Sequence, residues 1–243
     1  MKNIIIDTGC ANLFSVESAI KRLGYQVVIS DDPKIISQAD KVFLPGVGNA
    51  RHAMENIRQK NLADTIKALK QPVLGFCLGM QLMAESSTEG IKPSTEGIKP
   101  STEGIKPSTE GIKPSTEGIK PSTEGLKPSA ESAVNEENKI KGLAVIPTTI
   151  SPLQAEGKRL PHMGWNTLTS ISDHPVFAGI NPGDYFYFVH SFAAPKSEFT
   201  VASCEYGTTF SAAIAKDNFI GCQFHPERSG ALGRKIIENF LEL

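Results

Sequence analysis

Short β-branched runs alternate with amphipathic stretches along the first part of the chain, the pattern of helices packed on a largely parallel sheet. IIID (Ile4 to Asp7) reads as a buried strand. Asn12 is placed to cap a helix over LFSVESAIKRL that Gly24 ends, and YQVVIS (Tyr25 to Ser30) returns as a second strand. KVFLPG (Lys41 to Gly46) is a third strand, helical spacing runs from about Asn49 to Lys70, and PVLGF (Pro72 to Phe76) is a fourth strand leading directly into Cys77.

Beyond about residue 142 the texture changes to shorter strands, with GLAVIPTTI, PHMGWNTL, DYFYFVHS and TVASCEY in turn. FSAAIA and FIGCQF, joined across Lys216, Asp217 and Asn218, read as a hairpin. Leu232, Ile236, Ile237 and Phe240 recur at helical spacing in a last helix from about Gly230 to Leu241. The predicted fold class is α/β: a mostly parallel central sheet flanked by helices, with antiparallel additions in its second half.

Between these halves stand six tandem heptads, Ser87 to Pro128, five reading STEGIKP and the last STEGLKP. One apolar residue in seven is too little to offset an ordering cost of roughly 1–2 kcal/mol per residue. A coiled coil needs two apolar positions per heptad and excludes a proline in each. The tract is therefore expected to be disordered or loosely turned, an insertion at 87–128 in a single domain spanning 1–243. It is also expected to tolerate changes in copy number without loss of activity.

Composition narrows the picture further. Lys and Arg number 25 against 26 Asp and Glu, for a net charge of −1, so charge gives no reason to expect a nucleic-acid partner. Three isoleucines before Asp7 are too few for a signal peptide, and no run reaches membrane-spanning length, so a soluble, cytosolic protein is expected. Cys10, Cys77, Cys204 and Cys222 show no CxxC pairing, and at least three of them read as ordinary buried thiols.

Cys77 is the candidate exception. GFCLG is a GxCxG pattern where a strand meets a helix, the arrangement of a nucleophile elbow: the glycines remove side chains that would clash in a sharp turn. Helix N-terminal amides favour a thiolate, and the Leu78 N–H is placed to bind an oxyanion. A thiolate nucleophile needs a proton carrier and a carboxylate to orient it. QFHPERS supplies His225 and Glu227 two residues apart, on one side of an extended backbone.

GFCLGMQ followed much later by QFHPE resembles the class I glutamine amidotransferases, glutaminase domains whose Cys, His and Glu occur in this order. The resemblance implies that Cys77 attacks the glutamine side-chain amide, His225 protonates the departing ammonia and Glu227 fixes the imidazole. DTGCANLFSV, LPGVGNA, PHMGWN, YFVHSF and QFHPERSG narrow the likeness to the family of glutaminase subunits of imidazole glycerol phosphate synthase. It implies an oxyanion strand at Gly46, Val47 and Gly48, working with Leu78. Glutamine-binding positions are implied at Gln81, His190, Ser191 and Phe192. The resemblance also implies that Trp165, Tyr187 and Arg228 fall at an interface with a (β/α)8-barrel cyclase subunit, the implied partner in a heterodimer. No cofactor and no metal is implied, and neither nucleic acid nor membrane is an implied partner.

A glutaminase serving anthranilate or guanylate synthesis is the alternative enzyme, against which PHMGWN and LPGVG argue. A non-catalytic binding module would be expected to lack Cys77, His225 or Glu227, and all three are present. A display or adhesion role for the repeat conflicts with the cytosolic expectation.

Overall fold

The three consecutive isoleucines near the N-terminus show how the architecture arises. In strand β1 (Asn3–Ile6), Ile5 joins one hydrophobic cluster while Ile4 and Ile6 join another, because side chains alternate across a strand and both faces of this sheet are covered. A computed structural model describes residues 1–9, 13–90 and 138–243, which belong to one unit formed by Met1–Ile91 and Asn135–Leu243. The expected cap Asn12, Cys10 and the repeat from Ile91 onward lie outside the described residues.

β1 pairs in parallel with β2 (Val27–Ser30) and β3 (Lys41–Gly46), β3 with β4 (Val73–Cys77), and β4 with β13 (Phe219–Cys222). From β13 the pairing turns antiparallel, through β12 (Thr208–Lys216) and β11 (Thr200–Tyr206) to β8 (His162–Ile171) and β9 (Tyr185–His190). The expected sheet, parallel and then antiparallel, is thus one nine-stranded sheet in the order β2-β1-β3-β4-β13-β12-β11-β8-β9. The expected hairpin is β12–β13, with Asp217 in its turn at φ 54°.

Helices α1 (Leu13–Arg22) and α6 (Gly230–Glu242) bury Val16, Ile20, Ile236, Ile237 and Phe240 against one face. The helical stretch predicted from Asn49 to Lys70 is two helices, α3 (Ala50–Gln59) and α4 (Leu62–Ala68), broken where Asn61 takes a left-handed φ of 55°. They cover the other face with Met54, Ile57, Leu62 and Ile66. A short helix α2 (Pro33–Ser37), capped by the Asp32 side chain and opened by Pro33, escaped the periodicity because it is barely one turn long.

A second, four-stranded sheet was not foreseen: β10 (Phe192–Ala193), β7 (Ile146–Pro152), β5 (Ala84–Ser87) and β6 (Ile140–Lys141). It gives a strand partner to the start of the tract that was expected to be disordered or loosely turned. Ser87, the first residue of the first heptad, is buried in β5, and Thr88 donates its N–H to the Ile150 carbonyl at 2.9 Å. The first heptad begins as a strand of the domain because its neighbours, not its own composition, supply the partners.

Candidate active site

β3 and β4 end side by side, with Gly46 opposite Cys77 in the register. Cys77 turns the chain sharply, at φ 49° and ψ −108°, into helix α5 (Leu78–Leu82). A non-glycine residue held there carries roughly 1–3 kcal/mol of strain, and such strain persists only where the surroundings enforce it. A Cβ on Gly79 would run into the Leu44 backbone carbonyl, and one on Gly75 would lie 2.8 Å from backbone atoms of Gly79 and Met80. The GxCxG glycines are therefore required by the close approach of α5 to β3 and β4, as the sequence suggests. Gly79→Ala should destabilise the protein by about 3 kcal/mol or more, because only backbone could yield; chemical denaturation of the purified variant measures it.

His225 and Glu227 meet differently from expectation. His225 is extended, but Pro226–Arg228 form a single 3-10 turn, so the pair is closed by a turn rather than by strand alternation. Pro226 sets the φ that starts it. His225 Nδ1 lies 2.9 Å from Glu227 Oε1, with both side chains more than nine-tenths buried. The His225 N–H donates to the Tyr187 carbonyl, and the Ser229 hydroxyl donates to the His225 carbonyl at 2.7 Å. Burial alone would lower the imidazole pKa, but hydrogen bonds with Cys77 and Glu227, together with their charges, outweigh it and push it up to about 10. The ring nitrogen that Glu227 leaves free is the one available to Cys77.

Cys77, Leu78 and His225 line a cavity of about 260 Å³ with Val47, Gly48, Gln81 and the segment Val189, His190, Ser191 and Phe192. Gly46 does not line it but ends the strand that carries Val47 and Gly48 there. Gln81 is held by the protein around it. Its amide nitrogen donates to the Phe192 carbonyl at 3.0 Å and to Gln223 Oε1 at 2.9 Å, so both hydrogens are already committed within the protein. Gln223 Nε2 in turn donates to Cys77 Sγ at 3.7 Å, and Cys77 Sγ to the Val189 carbonyl at 3.6 Å.

Sequence reasoning missed two residues here. Gln223 stands two positions before His225, and strand alternation could have found it. Glu89 also lines the cavity, its Oε1 accepting from Asn49 Nδ2 at 3.1 Å and its Oε2 from the Ala50 N–H at the start of α3. It belongs to the first heptad, and nothing in six near-identical copies distinguishes it. Cys204 and Cys222 are buried thiols as expected, their pKa values pushed up by burial, to about 12 for Cys204.

Trp165 is 55% exposed on β8, and its ring meets Tyr187 of β9 edge-on with centroids 6.0 Å apart. The two are opposite one another in the ladder. Met163 and Tyr185 are also exposed on this strand pair, and Arg228 is exposed in the turn beyond His225. Among the described residues no helix is long and apolar enough to cross a membrane.

A strained cysteine elbow facing a buried His–Glu pair at the carboxyl ends of parallel strands defines a class, and known proteins agree on it. The class-I glutamine amidotransferase family profile matches residues 4–243. The imidazole glycerol phosphate synthase subunit HisH of Colwellia psychrerythraea is 60% identical over 242 residues, covering 100% of this chain and 93% of that protein. Its counterpart in Shewanella loihica is 47% identical, over 99% of this chain and 90% of that one. A glutamine amidotransferase crystal structure from Thermotoga maritima, only 14% identical, shares the fold at a TM-score of 0.54 and covers 100% of this chain and 83% of that one. The chain belongs to the class I glutamine amidotransferases and, within them, to the family of HisH subunits of imidazole glycerol phosphate synthase.

Proposed function

We propose that the protein hydrolyses glutamine through a cysteinyl thioester and passes the ammonia to a cyclase subunit in histidine biosynthesis. The observation that carries this reading is the buried His225–Glu227 pair, with the imidazole pKa raised to about 10 beside Cys77 in one cavity. With the proton on the His225 imidazole, the Cys77 sulfur is the nucleophile. Sγ attacks the side-chain carbonyl carbon of glutamine. The developing oxyanion takes hydrogen bonds from the backbone N–H groups of Leu78 and of the Gly46–Val47–Gly48 segment at the end of β3. The tetrahedral intermediate collapses with cleavage of the C–N bond, the imidazolium gives its proton to the nitrogen, and ammonia leaves. Water then gives a proton to neutral His225 and attacks the thioester, releasing glutamate and returning the proton to the cysteine–histidine pair. Glu227 accepts from Nδ1 throughout, holding the ring and stabilising its charged form.

Glutamine enters with its charged end toward Glu89 and the His190–Phe192 wall. The Glu89 carboxylate has lone pairs beyond those used by Asn49 and Ala50, which suits an α-ammonium group. Gln81, itself part of the cavity lining, holds the Phe192 carbonyl and Gln223. Glu89→Gln should raise KM for glutamine about 10- to 100-fold while kcat changes little, the loss of one charge-assisted hydrogen bond; steady-state glutaminase kinetics distinguish the two.

The cyclase partner is a (β/α)8 barrel, and the apolar strip of exposed Met163 and Trp165 and half-buried Tyr187, with exposed Arg228 in the turn beyond His225, is the surface proposed to meet it. Co-purification with that subunit, followed by glutamate release with and without the cyclase ligand, tests the reading. Glutaminase activity that no cyclase subunit binds or stimulates would overturn it.

A further inference from the structure

β8 and β9 set three polar side chains on the inner face of one ladder. His162 and His190 are directly opposite, and Asn166 lies four residues along from His162, on the same face because side chains alternate. His162 Nδ1 is 3.0 Å from His190 Nε2, Asn166 Nδ2 is 3.2 Å from His162 Nε2, and His190 Nδ1 is 2.9 Å from the Phe192 carbonyl. Both histidines are more than nine-tenths buried. His162 is sandwiched between Phe188 and Tyr206, with ring centroids 4.9 and 4.1 Å away.

The two ends of this chain independently require the same arrangement of protons. At one end a carbonyl can only accept, so His190 carries its proton on Nδ1 and accepts at Nε2, which makes His162 Nδ1 a donor. At the other, the Asn166 amide nitrogen also donates to the Glu205 carbonyl at 2.9 Å, which fixes it as the NH2 end, so His162 Nε2 accepts and the proton again sits on Nδ1. A second proton on either ring would set donor against donor. Burial is the main cause that holds both rings neutral, with pKa values lowered to about 4 for His162 and about 3 for His190; the positive charge of Lys158 on the first, and the cost of charging His190 beside His162 and His225 on the second, add to it, while the Phe192 hydrogen bond opposes it at His190.

We propose that His162 and Asn166 are positioning residues: through this directed chain they hold His190 in its Nδ1–H form against the Phe192 carbonyl, and so set the wall of the cavity that receives glutamine. The Phe192 carbonyl accepts from Gln81 as well, which binds Gln223, which donates to Cys77, so the chain extends a polar network to the nucleophile. The inference rests on the glutaminase reading for its kinetic arm and on the ladder alone for its spectroscopic arm.

The test uses the full chain with ¹⁵N-labelled histidine, and the same protein with the cyclase subunit for kinetics. Two-bond ¹⁵N–¹H spectra should show His162 and His190 as neutral Nδ1–H tautomers, the form less favoured in water. Asn166→Asp removes the donor that sets the direction, so His162 should change to an Nε2–H or doubly protonated ring. KM for glutamine should then rise about tenfold with kcat little changed. His162→Phe keeps the ring stack but breaks the chain and should raise KM similarly. His162→Asn retains a donor toward His190 and should restore most of the loss. Nε2–H tautomers at either ring in the unmodified protein would overturn the proposal. So would His162→Phe and His162→Asn variants whose KM follows their thermal stability alone. A wild-type complex that does not hydrolyse glutamine would sink the functional reading and leave the tautomer assignment standing or falling on its spectra.

Discussion

Cys77→Ala should abolish glutamine-dependent synthesis by the complex while leaving synthesis from added ammonium salts near its original rate. Alanine keeps the Cβ, so the elbow at φ 49° carries the same strain and α5 keeps its place against β3 and β4. What disappears is the sulfur, and with it the proposed thioester that would split amide cleavage into two easier steps. The glutaminase rate should fall by at least about 10⁴-fold, since removing a nucleophile leaves only binding and oxyanion stabilisation. The ammonia route bypasses that step, so the pair of assays separates chemistry from folding. Loss of both activities would mean that the thiol serves the structure or the subunit contact instead.

Glu227→Gln should lower kcat for glutamine hydrolysis by about 10³- to 10⁴-fold, comparable to removing the orienting carboxylate of a serine triad. Glu227 accepts from His225 Nδ1 at 2.9 Å, and its charge is one reason the imidazole pKa rises to about 10. The sign follows from linkage. His225 binds its proton more tightly in the folded protein, so this contribution to stability is fully present below the unfolded pKa near 6.5 and is lost as pH rises through about 10. The glutamine side chain is neutral, so the variant should lose the stabilisation that Glu227's charge gives to the folded, protonated state. Thermal unfolding of the wild type against Glu227→Gln between pH 6 and 10 should show the gap narrowing as pH rises. A uniform gap, or an unchanged kcat, would remove Glu227 from the catalytic group.

The elbow and the sheet were the most legible parts of the chain. Gly75, Cys77 and Gly79 answer to a steric demand within a few residues, which is why the GxCxG spacing could be read directly. The isoleucines of β1, the β12–β13 hairpin and the period of α6 also follow local rules of alternation, turn chemistry and helical spacing. His225 and Glu227 were found by spacing although the geometry joining them was misjudged, since Pro226 begins a turn where extended backbone was expected. The second sheet stayed hidden because β5, β6 and β10 are two to four residues long, too short to show a period.

Sequence alone determined which residues can do chemistry here: a cysteine at a glycine-flanked strand end and an HPE segment that can carry its proton. The tertiary structure decided what surrounds them. Gln223 reaches Cys77 across 146 positions of sequence, Glu89 reaches Asn49 across 40, and His162 reaches His190 across 28. Such pairings depend on strand order and register, which depend in turn on the central strands burying both of their faces at once. The repeat makes the same point, because its first four residues match the later copies letter for letter. Ser87 and Glu89 acquire their surroundings from β7 and the start of α3, which no property of the heptad itself specifies.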